Sequence, residues 1–189
     1  KRLKYFFFSI FEHQFHALRK RTPVSKCKQA NAGLRGGPPG QPSVDAGAAI
    51  VAGVCGWPIK HSRSPRIHNF WLKKYGIDGV YVPFAISPDR AADAFRALPD
   101  LHIAGLNVTV PNKEEAYKAM DEVDRWAQRM KAVNTIMVRD GVLYGANTDA
   151  FGFMESLREA RPDWRADAGP AVILGAGGAA RAALGPPRT

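Results

Sequence analysis

Cysteine is scarce: the 189 residues hold two, Cys27 and Cys55. Two thiols cannot supply a disulfide framework or a thiolate-based metal site, so no metal is expected, and a reducing cytoplasm suits the chain. Cys55 closes the apolar run Ile50-Val-Ala-Gly-Val-Cys55 and reads as a small buried hydrophobe. Long apolar runs are missing as well. None approaches the roughly 20 residues that a membrane-spanning helix needs. Acidic residues are outnumbered, 17 against 27 Lys and Arg, for a formal charge of +10. The imbalance is uneven. Residues 1–48 hold nine basic and two acidic residues, net +7, which leaves 18 and 15, net +3, for residues 49–189. The globular part is therefore near neutral. With no recognition motif present, a nucleic-acid partner is not expected.

Residues 1–48 show little periodicity. Tyr5-Phe-Phe-Phe-Ser-Ile-Phe11 is apolar, but Glu12 and His13 follow too soon for a signal-peptide core. Residues 32–48 are rich in Gly, Pro and small residues and read as a linker. The segment is expected to be a disordered basic extension, with a basic presequence as the rival reading.

From Ile50 onward strand-like runs alternate with helix-period segments. Expected strands are Ile50–Cys55, Val80–Phe84, Ile103–Val110, Val133–Arg139, Val142–Tyr144 and Ala171–Leu174. Ser64-Pro65 and Ser87-Pro88 each combine a helix N-cap with a proline at the first helical position. The first helix carries Ile67, Phe70, Trp71 and Tyr75 at helical spacing and stops at Gly76. The second places Ala91, Ala94, Phe95 and Leu98 on one face. Further helices are expected over 112–120, 121–130 and 149–160, the last facing the core with Phe153 and Leu157. Asp140-Gly141 is a two-residue hairpin signal. The pattern predicts an α/β fold: an open, mainly parallel sheet with one antiparallel strand and helices on both faces, then a strand–turn–helix.

Polar motifs fall where an open sheet places ligands, beyond the carboxyl ends of its strands. His61-Ser-Arg-Ser-Pro65 puts Ser62 and Ser64 at a helix start, which is either an anion site or a bare cap beside a solvated serine. His61 reads as a loop residue and His68 as a helix-face residue, since no nucleophile elbow accompanies them. Asn107-Val-Thr-Val-Pro-Asn-Lys113 puts Asn107 and Thr109 on one side of a strand end. It also sets Lys113 at a helix start, a poor place for a cation unless a carboxylate answers it. Asp149, in Asn147-Thr-Asp149, is a candidate partner; alternatively Lys113 is a solvated lysine and Asp149 caps its own helix. Ala132-Val-Asn-Thr135 adds Asn134. Gly175-Ala-Gly-Gly-Ala-Ala180 after Val172-Ile-Leu174 has the G-x-G-x-x-A form of a dinucleotide turn.

These motifs, in this order, resemble the shikimate dehydrogenase family over roughly Ile50 to Ala183. The resemblance implies a substrate-binding domain over 49–160 and the start of an NADP-binding Rossmann domain over 161–189. It implies Lys113 and Asp149 as the catalytic pair, and Ser62, Ser64, Thr109, Lys113, Asn134 and Asp149 as residues that bind shikimate or 3-dehydroshikimate. Asn107 would line the same pocket. Gly175, Gly177, Gly178 and Ala180 would approach the cofactor. The activity implied is reversible NADPH-dependent reduction of 3-dehydroshikimate to shikimate, on the route to chorismate and aromatic amino acids. Gly185-Pro-Pro-Arg-Thr189 departs from the family, and the residue that chooses NAD or NADP falls about 20 positions past the turn, beyond Thr189. The chain is accordingly expected to be an inactive fragment. Rival readings are a quinate/shikimate dehydrogenase and a non-catalytic shikimate-binding module.

Overall fold

A computed structural model of the chain describes residues 49–165, 167–170, 172–175 and 180. The expected disordered extension, 1–48, therefore lies outside the described residues. From Ile50 the element order is β1 (Ile50–Gly56), α1 (Ser64–Lys74), β2 (Gly79–Ala85), a 3-10 turn (Pro88–Arg90) and α2 (Ala91–Arg96). It continues with β3 (Ile103–Val108), α3 (Lys113–Ala119), β4 (Glu122–Val123), α4 (Arg125–Met130), β5 (Thr135–Arg139), β6 (Val142–Ala146) and α5 (Asp149–Ala160).

The strands form one six-stranded sheet in the order β2-β1-β3-β5-β6-β4. β1 is parallel to both β2 and β3, and β4 is parallel to β6. β5 runs against both of its neighbours, β3 and β6. The sheet is thus mainly parallel with one reversed strand, as the alternation predicts. The reversal is local chemistry: Asp140 and Gly141 take φ of 53° and 83°. Positive φ at both central positions is what a tight hairpin with right-handed strand twist requires.

Alternation along β1 divides the core between the two faces. Ala52 and Val54 pack with Leu72 of α1 and with Tyr81 of β2. Cys55 points the other way, into the cluster of Ala91, Phe95 and Leu98 with Leu106, Val108, Ala116 and Ile136. Burying a side chain such as Phe95, which is 0% exposed, contributes roughly 1.5–3 kcal/mol.

Several local expectations differ from the structure. Ser64 is the first helical residue, not the cap; Arg63 holds the cap position with no side-chain hydrogen bond. The buried face of α1 is His68 and Leu72, while Phe70 and Tyr75 are exposed. Helical spacing alone did not reveal this, because His68 is apolar enough in its neutral form to stack on Tyr81, with centroids 4.0 Å apart. Glu122 and Val123, expected within a helix, form the short edge strand β4, and Asp124 then caps α4 by accepting the Ala127 N–H at 2.6 Å. Phe153 is exposed, and α5 buries Ala150 and Gly152 instead. Val172 to Gly175 is not a strand, with Val172 and Leu174 almost fully exposed. A strand is defined by its ladder, and none of the described strands pairs with these residues.

Candidate active site

Strand direction assembles the site. β1, β3 and β6 run one way and β5 the other, so three carboxyl ends and one amino end share an edge of the sheet. The register confirms the meeting: Cys55 lies opposite Val108, Asn107 opposite Thr135, and Thr135 opposite Ala146. The residues that follow or precede these ends are Ser62 and Ser64, Thr109 and Lys113, Asn134, and Asp149. Backbone bonds hold the edge together: Thr109 N–H donates to Cys55 O at 2.9 Å, Val133 N–H to Lys113 O at 2.9 Å, and Asn134 N–H to Ala146 O at 3.0 Å.

Lys113, Asn134 and Asp149 are in contact. The Lys113 Nζ donates to Asp149 Oδ2 at 2.6 Å. Asn134 Nδ2 donates to the other carboxylate oxygen, Oδ1, at 2.8 Å, and to Thr148 Oγ1 at 3.0 Å. Lys113 opens α3, where the helix dipole disfavours a cation, and Asp149 opens α5, where it favours an anion. The ion pair therefore joins two helix starts and offsets the misplaced charge. Its side chains stay 24% and 30% exposed, so a ligand can reach them. An ammonium has three N–H groups, and Asp149 engages one, which leaves capacity for a guest oxygen.

Ser62, Ser64 and Thr109 line the same edge and are partly exposed. The Ser62 hydroxyl accepts the Ser64 N–H at 3.3 Å, so Ser62 rather than Ser64 answers a free amide of the first turn of α1. Thr109 is set by Gly56, where an added Cβ would stand 2.6 Å from the Thr109 methyl. Among the described residues these three share no hydrogen bond with the Lys113–Asp149 pair. Asn107 sits behind the edge: its Oδ1 accepts from the Tyr81 hydroxyl at 2.7 Å and its Nδ2 donates to Thr135 Oγ1 at 3.4 Å.

Thr135 and Asn147 are further residues of the site, beyond those expected from the sequence. Asn147 is 2% exposed. Its Oδ1 accepts the Asp149 N–H at 3.0 Å and its Nδ2 donates to Ala132 O at 2.8 Å, tying the loop of Asn134 to the start of α5. Membership in Asn147-Thr-Asp149 was the available signal. A buried amide two residues before a helix start is a natural cap.

Burial pushes the Cys55 thiol up to about 12, against a smaller lowering influence of a backbone hydrogen bond. It holds the Tyr81 phenol above its ordinary range and His68 below the usual imidazole range. His61 is exposed, as a loop residue should be. Of the dinucleotide motif, Gly175 takes φ +119°, a backbone conformation suited to glycine, and Ala180 is helical. Gly177 and Gly178 lie outside the described residues. Among the described residues no group of three or more His, Cys, Asp or Glu is placed to hold a metal. No described helix is long and apolar enough to cross a membrane.

The chain is similar in sequence and in fold to known proteins. Residues 54–136 match the family model described as the shikimate dehydrogenase substrate binding domain. A shikimate dehydrogenase (NADP(+)) of Rhodospirillum rubrum is 61% identical over 137 residues, which are 72% of this chain and 48% of that protein. One from Paramagnetospirillum magneticum is 54% identical over 140 residues, 74% of this chain and 51% of its own length. The crystal structure of the Thermus thermophilus enzyme in complex with NADP(H) and shikimate superposes with a TM-score of 0.63 at 38% identity. That match covers 71% of this chain and 50% of the other. The chain thus spans about half the length of the curated relatives it matches. Over residues 54–136 the chain is similar to the substrate binding domain of the shikimate dehydrogenase family.

Proposed function

We propose that this chain is the substrate-binding part of an NADP-dependent shikimate dehydrogenase, a cytoplasmic enzyme that interconverts 3-dehydroshikimate and shikimate. The observation that carries the reading is the 2.6 Å contact between Lys113 and Asp149 at the carboxyl edge of the sheet, with Asn134 on the second carboxylate oxygen. Similar proteins of solved structure, in complex with shikimate and with NADP(H) and shikimate, support it.

On this reading Ser62 and Ser64, at the start of α1, hold the substrate carboxylate with the help of the positive end of that helix's dipole. Thr109 and Asn134 receive ring hydroxyls. Lys113 presents an N–H to the keto oxygen, stabilises the charge that grows there and supplies the proton that completes the alcohol. Asp149 holds Lys113 in place and accepts a substrate hydroxyl. The nicotinamide, when bound, supplies the hydride in reduction and accepts it in oxidation. The positive φ at Gly175 suits a pyrophosphate approach, and Gly175, Gly177, Gly178 and Ala180 are the residues that would hold it.

Binding and turnover are tested separately. Shikimate added to the ¹⁵N-labelled chain should shift the amide signals of Ser62, Ser64, Thr109, Asn134 and Asp149. No shift at saturating shikimate would overturn the reading. For turnover, residues 1–160 are joined to the cofactor half of the Rhodospirillum rubrum relative, and nicotinamide absorbance is followed with shikimate and NADP. Quinate offered alongside separates the rival substrate. Lys113→Ala in that fusion should lower kcat by about a hundredfold to ten-thousandfold, with a smaller change in KM.

A further inference from the structure

We propose that Tyr81 and Thr135 are positioning residues that fix the amide orientation of Asn134, through a one-way chain of hydrogen bonds running across the sheet. The importance of that orientation for substrate rests on the function proposed above; the chain itself does not.

The chain begins two strands away from the site. Tyr81, on edge strand β2, packs with Ala52 and Val54 of the intervening strand β1, and its hydroxyl donates to Asn107 Oδ1 on β3 at 2.7 Å. Burial keeps this phenol protonated, so it remains a donor. With Oδ1 so engaged, the Asn107 amide nitrogen faces β5 and donates to Thr135 Oγ1 at 3.4 Å. A hydroxyl that accepts from Asn107 sends its own proton onward, and Thr135 Oγ1 donates to Asn134 Oδ1 at 3.0 Å. The Asn134 oxygen is thereby turned inward, where the Thr148 N–H also reaches it at 3.1 Å. Its NH2 is left facing Asp149 Oδ1.

Direction is the point. An asparagine amide is nearly symmetric in shape, but its two ends have opposite polarity. Rotated by half a turn, Asn134 would set a carbonyl oxygen against the Asp149 carboxylate, and Asp149 would lose a donor while Lys113 held its other oxygen. The donors that run through Asn107 and Thr135 to Asn134 all point one way, from a tyrosine hydroxyl that bonds to Asn107; the Thr148 N–H and hydroxyl reach the same Asn134 oxygen from the other side, at 3.1 and 3.4 Å. Thr135 is 3% exposed and Tyr81 2%, so neither is open to a guest molecule. They act through Asn107 and Asn134.

The experiment uses the ¹⁵N-labelled full chain without ligand and follows the side-chain amide signals of Asn107 and Asn134. Tyr81→Phe removes one oxygen and keeps the ring stacked on His68. It should shift the signals of Asn107, to which the Tyr81 hydroxyl donates, and also those of Asn134, two hydrogen bonds further on. Thr135→Val should shift Asn134 and abolish the effect of a second Tyr81→Phe change upon it. Thr135→Ser keeps the hydroxyl; it should leave Asn134 near its parent position and preserve the response to Tyr81→Phe, a result that stands even if Thr135→Val does not fold. A Tyr81→Phe shift confined to Asn107, or one that reaches Asn134 equally in the Thr135→Val background, would overturn the proposal. Shikimate titration provides the second readout: Tyr81→Phe should weaken binding about threefold to tenfold, the scale of one hydrogen bond. If the parent chain does not bind shikimate while the amide coupling holds, the functional reading fails and the positioning chain stands.

Discussion

Asn147 accepts the backbone N–H of Asp149 at 3.0 Å and donates from its amide to the carbonyl of Ala132 at 2.8 Å. One buried side chain thereby fastens two loops that each deliver a polar group to the site. Asn147→Ala should destabilise the chain by about 2–4 kcal/mol, because it leaves two buried backbone groups without partners. Urea denaturation measures this; a loss below the error of the midpoint would show that the loops are held by other bonds.

Lys113→Met should behave in the opposite way. The ion pair with Asp149 is partly exposed, and pairs in such surroundings contribute about 1 kcal/mol or less to stability. The urea midpoint should barely move, whereas shikimate affinity in a calorimetric titration should fall. A large stability loss would reassign Lys113 to a structural role.

Gly56→Ala tests the seat of Thr109. The new Cβ would stand 2.6 Å from the Thr109 methyl and 3.0 Å from the Val110 carbonyl oxygen, so the β3–α3 loop must move. Overpacking of this kind costs about 1–3 kcal/mol. The expected outcome is a lower thermal midpoint together with weaker shikimate binding.

Cys55 should resist alkylation in the folded chain. Its thiol is pushed from 9.0 up to about 12 by burial, so the reactive thiolate is about a thousandfold scarcer, and the side chain is 0% exposed. Peptide mapping after brief iodoacetamide treatment should find Cys55 unmodified at neutral pH and fully modified in denaturant.

Acid should weaken the fold through His68. Burial lowers its pKa below 6.5, and the Ser64 carbonyl that accepts from Nδ1 only partly opposes this. Above pH 6.5 the imidazole is neutral in folded and unfolded chains alike. As pH falls through 6.5 toward the lowered folded value, the unfolded chain takes up a proton that the folded chain refuses, and stability declines. His68→Phe keeps a ring against Tyr81 and removes the titration, so its thermal midpoint should fall less between pH 7 and pH 5.

The sequence determined the alternation of strands and helices, because apolar periodicity and turn residues act locally. Asp140-Gly141 sufficed for the hairpin, and Gly76 for the end of α1, where it takes φ +63°. The site motifs were legible too, since each lies at a strand end and strand ends in an open sheet share an edge. What neighbours supply was not legible. Whether His68 or Phe70 of α1 faces inward depends on Tyr81, thirteen and eleven residues away on strand β2. Glu122 and Val123 become a strand only because β6 offers a ladder, and no described strand offers one to Val172 and Ile173. The order of the sheet, the 2.6 Å closure of Lys113 on Asp149 and the orientation of Asn134 belong to tertiary structure alone. Hydrogen bonds and ion pairs between distant segments need a register, and a register exists only after the strands have paired.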